Sequence, residues 1–96
     1  MLDAAYANDV ALVNELLKQG AELERRGPAD YGGMTALAIA CAYGSYEAAE
    51  ALCAHGAELD ARDDYQSTPL MNAAVNGKTK ICEMLLALGG GPQPEE

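Results

Sequence analysis

The segment DYGGMTALAIACAYG at residues 30–44, set above DDYQSTPLMNAAVNG at residues 63–77, decides the fold. Asp30 falls on Asp63, Thr35 on Thr68, Leu37 on Leu70, Ala40 on Ala73 and Gly44 on Gly77. Further along, Leu52 falls on Leu85 and Gly56 on Gly89, all at one offset of 33 residues. Seven such pairs at a single spacing mark an internal repeat. The N-terminal segment joins at an offset of 36, matching Ala4 to Ala40, Leu16 to Leu52, Gly20 to Gly56, Ala21 to Ala57, Glu22 to Glu58 and Leu23 to Leu59. The three additional residues lie near Arg26-Gly27-Pro28-Ala29, whose Gly-Pro step is loop chemistry. The chain therefore divides into about three units: a shortened first at 1–29, a full second at 30–62, and a third at 63–91 that stops after its second helix. Residues 92–96 are read as a tail.

Each unit reads as helix, turn, helix, loop. Thr68-Pro69 is a helix start, with a hydroxyl for the N-cap and a proline where a missing N–H costs nothing. Thr35 keeps the cap without the proline. The first helices run to about Tyr43 and Asn76, closed by Gly44 and Gly77, and Asn8 holds the equivalent place in the first unit. The second helices are predicted over 10–18, 46–54 and 79–87 from apolar residues at helical spacing: Val10, Val13, Leu16 and Leu17; Ala48, Ala49, Leu52 and Cys53; Ile81, Cys82, Leu85 and Leu86. Each stops at a glycine: Gly20, Gly56 or Gly89. The Gly-, Asp- and Pro-rich loops that follow are expected to project as hairpins. Composition fits this plan. Nineteen Ala and twelve Leu, with no Phe or Trp, suit short helices at close range.

These residues resemble the ankyrin repeat, whose period is 33. The matching pieces are Asp30 to Leu37 with Ala40 to Gly44, Asp63 to Leu70 with Ala73 to Gly77, and the endings Leu16 to Leu23 and Leu52 to Ala61. The resemblance covers nearly all of residues 1–91 and implies an all-α solenoid of stacked helix–turn–helix units with projecting hairpin loops. Ala38 and Met71 depart from it, standing where the family usually has a His that braces neighbouring loops. Gln66 replaces the hairpin glycine matched by Gly33, so the second hairpin is expected to be remodelled. The third unit has no evident polar cap, and Leu88 sits where Gln19 and His55 sit in the other units. With about three units, stability is expected to be marginal.

No catalytic, metal or cofactor site is expected. There is no P-loop, no nucleophile elbow and no dinucleotide fingerprint. His55 stands at a helix C-terminus, where an imidazole suits the macrodipole. Cys41, Cys53 and Cys82 are odd in number and lack metal-type spacing, so they read as free packing thiols in a reducing, cytoplasmic setting. The formal charge of −9 disfavours nucleic acid and anionic membrane surfaces as partners. No secretory leader is read from Met1-Leu2-Asp3.

What remains is surface. The resemblance implies that the first helices and hairpin tips line a concave face. Register places Tyr6, Tyr31, Met34, Tyr43, Asp64, Tyr65, Ser67 and Asn76 there, with Ala7, Gly32, Ala42 and Val75 beside them. Tyr is favoured at binding hot spots, although the same rings also serve to cover thin Ala-rich helices. Tyr46, aligned with Val10 and Thr79, reads as structural. Glu22, Glu24, Glu58, Asp60, Asp63 and Asp64 are expected to form an acidic ridge that steers a basic partner. The favoured function is non-catalytic protein binding, as scaffold, adaptor or inhibitor. The alternative is a structural one: a piece of a longer array, or a self-associating stack packing through the Leu88 end.

Overall fold

The structure, a computed structural model, describes residues 1–89. The expected end of the third unit at residues 90–91 and the tail at 92–96 lie outside the described residues. Six α-helices form among them: α1 (Leu2–Tyr6), α2 (Val10–Lys18), α3 (Ala36–Tyr43), α4 (Tyr46–Ala54), α5 (Pro69–Val75) and α6 (Thr79–Ala87). The second helix of each unit spans the residues that periodicity predicts. The described residues contain no strand, and the architecture is all-α.

The caps are local in origin. The hydroxyl oxygens of Thr35 and Thr68 accept the N–H groups of Ala38 and Met71 at 3.3 Å. Asp9 caps α2 by accepting from Leu12 N–H at 3.1 Å. At the end of α2, Ala21 N–H reaches Leu16 O at 3.0 Å and Gly20 N–H reaches Leu17 O at 3.1 Å. The end of α4 repeats this pair through Ala57 and Gly56. This double closure requires a left-handed residue, here a glycine at φ near +90°.

Helices α1, α3 and α5 stack as one layer, and α2, α4 and α6 as a second. The centre of the first layer is α3, whose residues Ala36 to Ala42 are all buried, and the centre of the second is α4. Alanines at 4, 5, 36, 40, 48, 49 and 73 let neighbouring helices approach closely, and Val13, Leu37, Ile39, Leu52 and Leu85 fill the remaining space. Tyr46 packs half-buried against this core, as expected.

The loops differ from the expectation at Gln66. Rather than being remodelled, Gln66 takes φ 64°, almost the 67° of its counterpart Gly33. The first full loop absorbs its three additional residues through a short 3-10 turn at Ala29–Tyr31, and Gly27 N–H donates to Met34 O at 2.8 Å. The second loop closes through Asp63 N–H to Ser67 O at 3.0 Å, and Asp64 N–H joins it to the first through Gly32 O at 2.8 Å.

Candidate interaction surface

The loop region is built around Asp63. The residue is 5% exposed. Oδ1 accepts the N–H groups of Tyr65 at 2.8 Å and Ser67 at 2.9 Å, and Oδ2 accepts Asn72 Nδ2 at 3.3 Å. Burial pushes this carboxyl up, but the donors from Ser67, Tyr65 and Asn72, with the charge of Arg26, more than reverse it and hold it below the usual range. In this way Asp63 and Asn72 brace the loop although Met71 replaces the His that the family usually places there. Arg26 adds a second tie, donating from Nε to Gly33 O at 2.8 Å and pairing with Asp64 at 2.9 Å.

These contacts reshape the expected acidic ridge. Asp63 is buried, so its charge belongs to the loop interior. The charge of Asp64 is met by Arg26. Glu24 accepts the backbone N–H of Glu58 at 2.7 Å. Glu22, Glu58 and Asp60 remain exposed. Arg62 stands among them, donating to Gln66 O at 2.9 Å.

The eight candidate residues separate by burial. Tyr6, Tyr43, Asp64, Tyr65 and Asn76 are exposed, whereas Tyr31, Met34 and Ser67 are half-buried. Tyr31 and Met34 pack against the core. Tyr31 also lines a groove of about 440 Å³ at the N-terminal end, with Met1, Leu2 and Pro28. Ser67 is tied into the Asp63 turn through both its backbone groups.

Tyr6 and Tyr43 come together. Their ring centroids are 4.7 Å apart with planes tilted by 57°, a favourable aromatic geometry. They stand at the exposed ends of α1 and α3, the next position in register being held by Val75, the last residue of α5, and Asn76, which follows it. Asn76 donates from Nδ2 to Asn72 O at 2.8 Å. Val75 is 85% exposed. Tyr65 belongs to the loop tip, its ring resting on Gly32, where any Cβ would meet Cε2 at 3.1 Å. A Cβ on Gly33 would collide with the Asp64 carboxylate. The small residues of the first loop therefore seat the side chains of the second.

Sequence reading missed the role of Asn8, which does more than adopt a left-handed turn at φ 58°. Its Oδ1 accepts Ala48 N–H at 2.8 Å, so it caps α4 from the neighbouring unit. Its Nδ2 donates to Glu47 Oε1 at 2.8 Å, and this bond holds the Glu47 carboxyl below its ordinary range. Beside it, Ser45 Oγ donates to Tyr6 O at 2.9 Å, fixing the end of α1 that carries the tyrosine. On the outer layer, His55 Nε2 lies 3.1 Å from Asn14 Oδ1, joining α4 to α2. Cys41 is buried, and that burial, with the nearby thiols of Cys53 and Cys82, pushes its pKa far up. Cys53 is raised by burial and then by Glu50.

A family profile for ankyrin repeats in three copies matches residues 1–95. The chain belongs to the ankyrin repeat family. The solved ankyrin repeat domain of human ASB11 superposes with a TM-score of 0.83 at 26% identity, covering 98% of this chain and 41% of that one. Among curated proteins, the serine/threonine-protein kinase VIK of Arabidopsis thaliana is 34% identical over 86 residues. The ankyrin repeat and KH domain-containing protein mask of Drosophila melanogaster is 35% identical over 88 residues. Both matches cover 90% of this chain but only 19% and 2% of those proteins. This ankyrin repeat chain thus corresponds to a small part of each. Ankyrin repeats are in general protein–protein interaction modules, and the fold is typically non-catalytic. Among the described residues no helix is long and apolar enough to cross a membrane.

Proposed function

We propose that residues 1–91 form one non-catalytic protein-binding domain with a tail at 92–96, and that a partner protein docks along the exposed row of α1, α3 and α5. The observation that carries this reading is the Tyr6–Tyr43 pair, half-exposed and in contact, with Val75 and Asn76 continuing it on the next unit. Two adjoining rings held by packed helix ends offer large contact area at little entropic cost. Tyr65 and Asp64 add contacts from the loop tip. The support for a non-catalytic role is that the polar groups a catalytic constellation would need are engaged in holding the fold: Asp63 in its loop, His55 on Asn14, and Asn8 on α4. Exposed Glu22, Glu58 and Asp60, on a chain of net charge −9, favour a partner with a basic surface over an acidic one, nucleic acid or an anionic membrane. A reducing compartment such as the cytoplasm suits three free thiols.

The test is quantitative capture from cell extract with wild-type, Tyr43→Ala and Tyr65→Ala baits, followed by titration of the captured protein. Each substitution is expected to weaken affinity by more than about 1 kcal/mol, or roughly fivefold, with the helical circular-dichroism signal unchanged. A captured partner whose affinity ignores both changes would place the binding site elsewhere.

A second, structural reading is favoured by the C-terminal end. Met71, Ala74 and Val75 are exposed, while their register equivalents Ala38, Cys41 and Ala42 are buried beneath the following unit. Among the described residues this face of the third unit is thus exposed, and it suits a further repeat or another copy of the chain. Appending a copy of residues 36–62 after the third unit, joined by the loop of residues 57–68, should raise the melting temperature. An unchanged melting temperature with the added helices unfolded would dispose of this reading.

A further inference from the structure

We propose that the groove between α2 and α4, on the second layer, receives a Lys or Arg side chain of a partner protein, whose cationic head pairs with Glu50. This surface is apart from the exposed row of α1, α3 and α5. The groove has a volume of about 590 Å³ and a chiefly apolar lining. Val10 comes to it from α2, and Ala51 and Ala54 from α4. Glu47 and Glu50 line it too, three residues apart on α4, and both are exposed.

The two carboxylates are not equally free. Glu47 Oε1 accepts from Asn8 Nδ2 at 2.8 Å, and the charge of Lys80 also reaches it. Glu50 has no hydrogen bond or ion pair among the described residues. Its charge acts instead on Cys53, adding to the burial that pushes this thiol up. The remaining polar side chains of the groove, Asn14 and His55, are bonded to each other at 3.1 Å. Other hollows of the molecule differ in this respect. The one of about 410 Å³ beside the loops holds Arg26 and Arg62 among its carboxylates, so it supplies its own cations. The one of about 350 Å³ between α4 and α6 is lined by Lys78 and Lys80. The α2–α4 groove joins an unmet carboxylate to apolar walls. That combination suits a long side chain with an aliphatic stem and a positive head. The stem covers Val10, Ala51 and Ala54, and the head meets Glu50. An apolar side chain would strip water from Glu50 and give nothing back, and an acidic one would be repelled. The described residues hold no cluster of acidic, His or Cys side chains fit for a metal ion.

Amide NMR spectra of the full chain, titrated with three short blocked peptides of alanine and leucine, test this. One carries a central arginine, the second citrulline, its uncharged isostere, and the third glutamate. At millimolar peptide the arginine form should shift the amides around Val10, Glu50 and Ala54. It should bind about two- to fivefold more tightly than the citrulline form, the span expected for a partly exposed ion pair. The glutamate form should bind more weakly than either. Glu50→Gln should remove the preference for arginine. Glu58→Gln makes the same change in net charge on the loop side and should leave the preference intact, which separates a local pair from the general pull of an acidic chain. Glu50 is exposed and unbonded, so Glu50→Gln should keep the helices in place, and the same spectra report this. Four outcomes overturn the proposal: arginine shifts confined to the loops or to the Tyr6–Tyr43 row, a preference that survives Glu50→Gln, one that falls equally in Glu58→Gln, or no shift at all.

Discussion

Gln66 carries a conformation that its side chain disfavours. A left-handed backbone brings Cβ against the following carbonyl, and its cost for a residue other than Gly or Asn is roughly 1–2 kcal/mol. The turn persists because both ends are tied: Gln66 N–H donates to Asp63 O at 3.0 Å, and Gln66 O accepts from Arg62. Gln66→Gly is therefore expected to raise stability by about 1 kcal/mol in a urea titration, leaving the m-value unchanged. Asp63 gives the complementary case. Its carboxylate gathers two backbone N–H groups and one side-chain amide, so its folded-state pKa lies below the unfolded one. A depressed carboxyl contributes stability that is complete above the unfolded pKa of about 4 and is lost as pH falls through the lower folded value. Chemical denaturation at stepped pH should show this acid-side loss in the wild type and a smaller one in Asp63→Asn. Both residues were partly legible. The glycine missing at 66 is plain from the repeat. That the backbone would keep its torsion anyway follows from hydrogen bonds spread over Arg62, Asp63 and Ser67, which no single-residue preference records.

At the level of helices, residues 10–18, 46–54 and 79–87 were read from the sequence with their ends intact. Apolar spacing, an N-terminal boundary and a terminal glycine all point to the same limits there. The loops were not readable in this way, because what fixes them is contact between units: Asp64 N–H on Gly32 O, Arg26 on Gly33 O, Glu24 on Glu58 N–H. The same holds for the cap on α4. Asn8 satisfies Ala48 N–H across 40 positions in sequence, so a search for an N-cap near Ser45 finds none. Register then exposes an omission. The residue equivalent to Asn8 in the second unit is Gly44, also left-handed at φ 79°, and α6 has no side-chain cap. Asn tolerates this torsion, and the nearest atoms a Cβ at Gly44 would meet belong to the flexible Lys78 side chain, Cε at 3.1 Å. Gly44→Asn is thus expected to supply the cap for Ile81 N–H and stabilise by about 1 kcal/mol, while Asn8→Gly removes the existing one at a similar cost. Thermal melts of the two variants should move in opposite directions. A Gly44→Asn variant that melts below wild type would show that Lys78 cannot give way.

In the whole molecule, position along the stack decides how far a local loss spreads. The helices of each unit pack chiefly on those of its neighbours, so stability is close to a sum of unit terms and interface terms. Helix α3 packs on α1, α4 and α5, and its burial from Ala36 to Ala42 makes it the element that both ends need. Leu85 is as deeply buried as Leu37, yet it belongs to α6, which among the described residues packs chiefly on α4 and α5. Truncating a buried leucine removes about 2–5 kcal/mol wherever it sits. A small domain of this kind has a total stability of only several kcal/mol. Leu37→Ala takes that loss from both interfaces of the middle unit, so its far-UV signal at 25 °C should fall towards that of an unfolded chain. Leu85→Ala takes it from one terminal unit. The third unit should then open first, shedding the helical signal of α5 and α6 while Leu37, Ile39 and Leu52 keep slow amide exchange. Hydrogen exchange resolved by residue, run beside urea titration, separates the two. If both variants lose all protection in the same single step, the three units behave as one cooperative block and the neighbour-by-neighbour account fails.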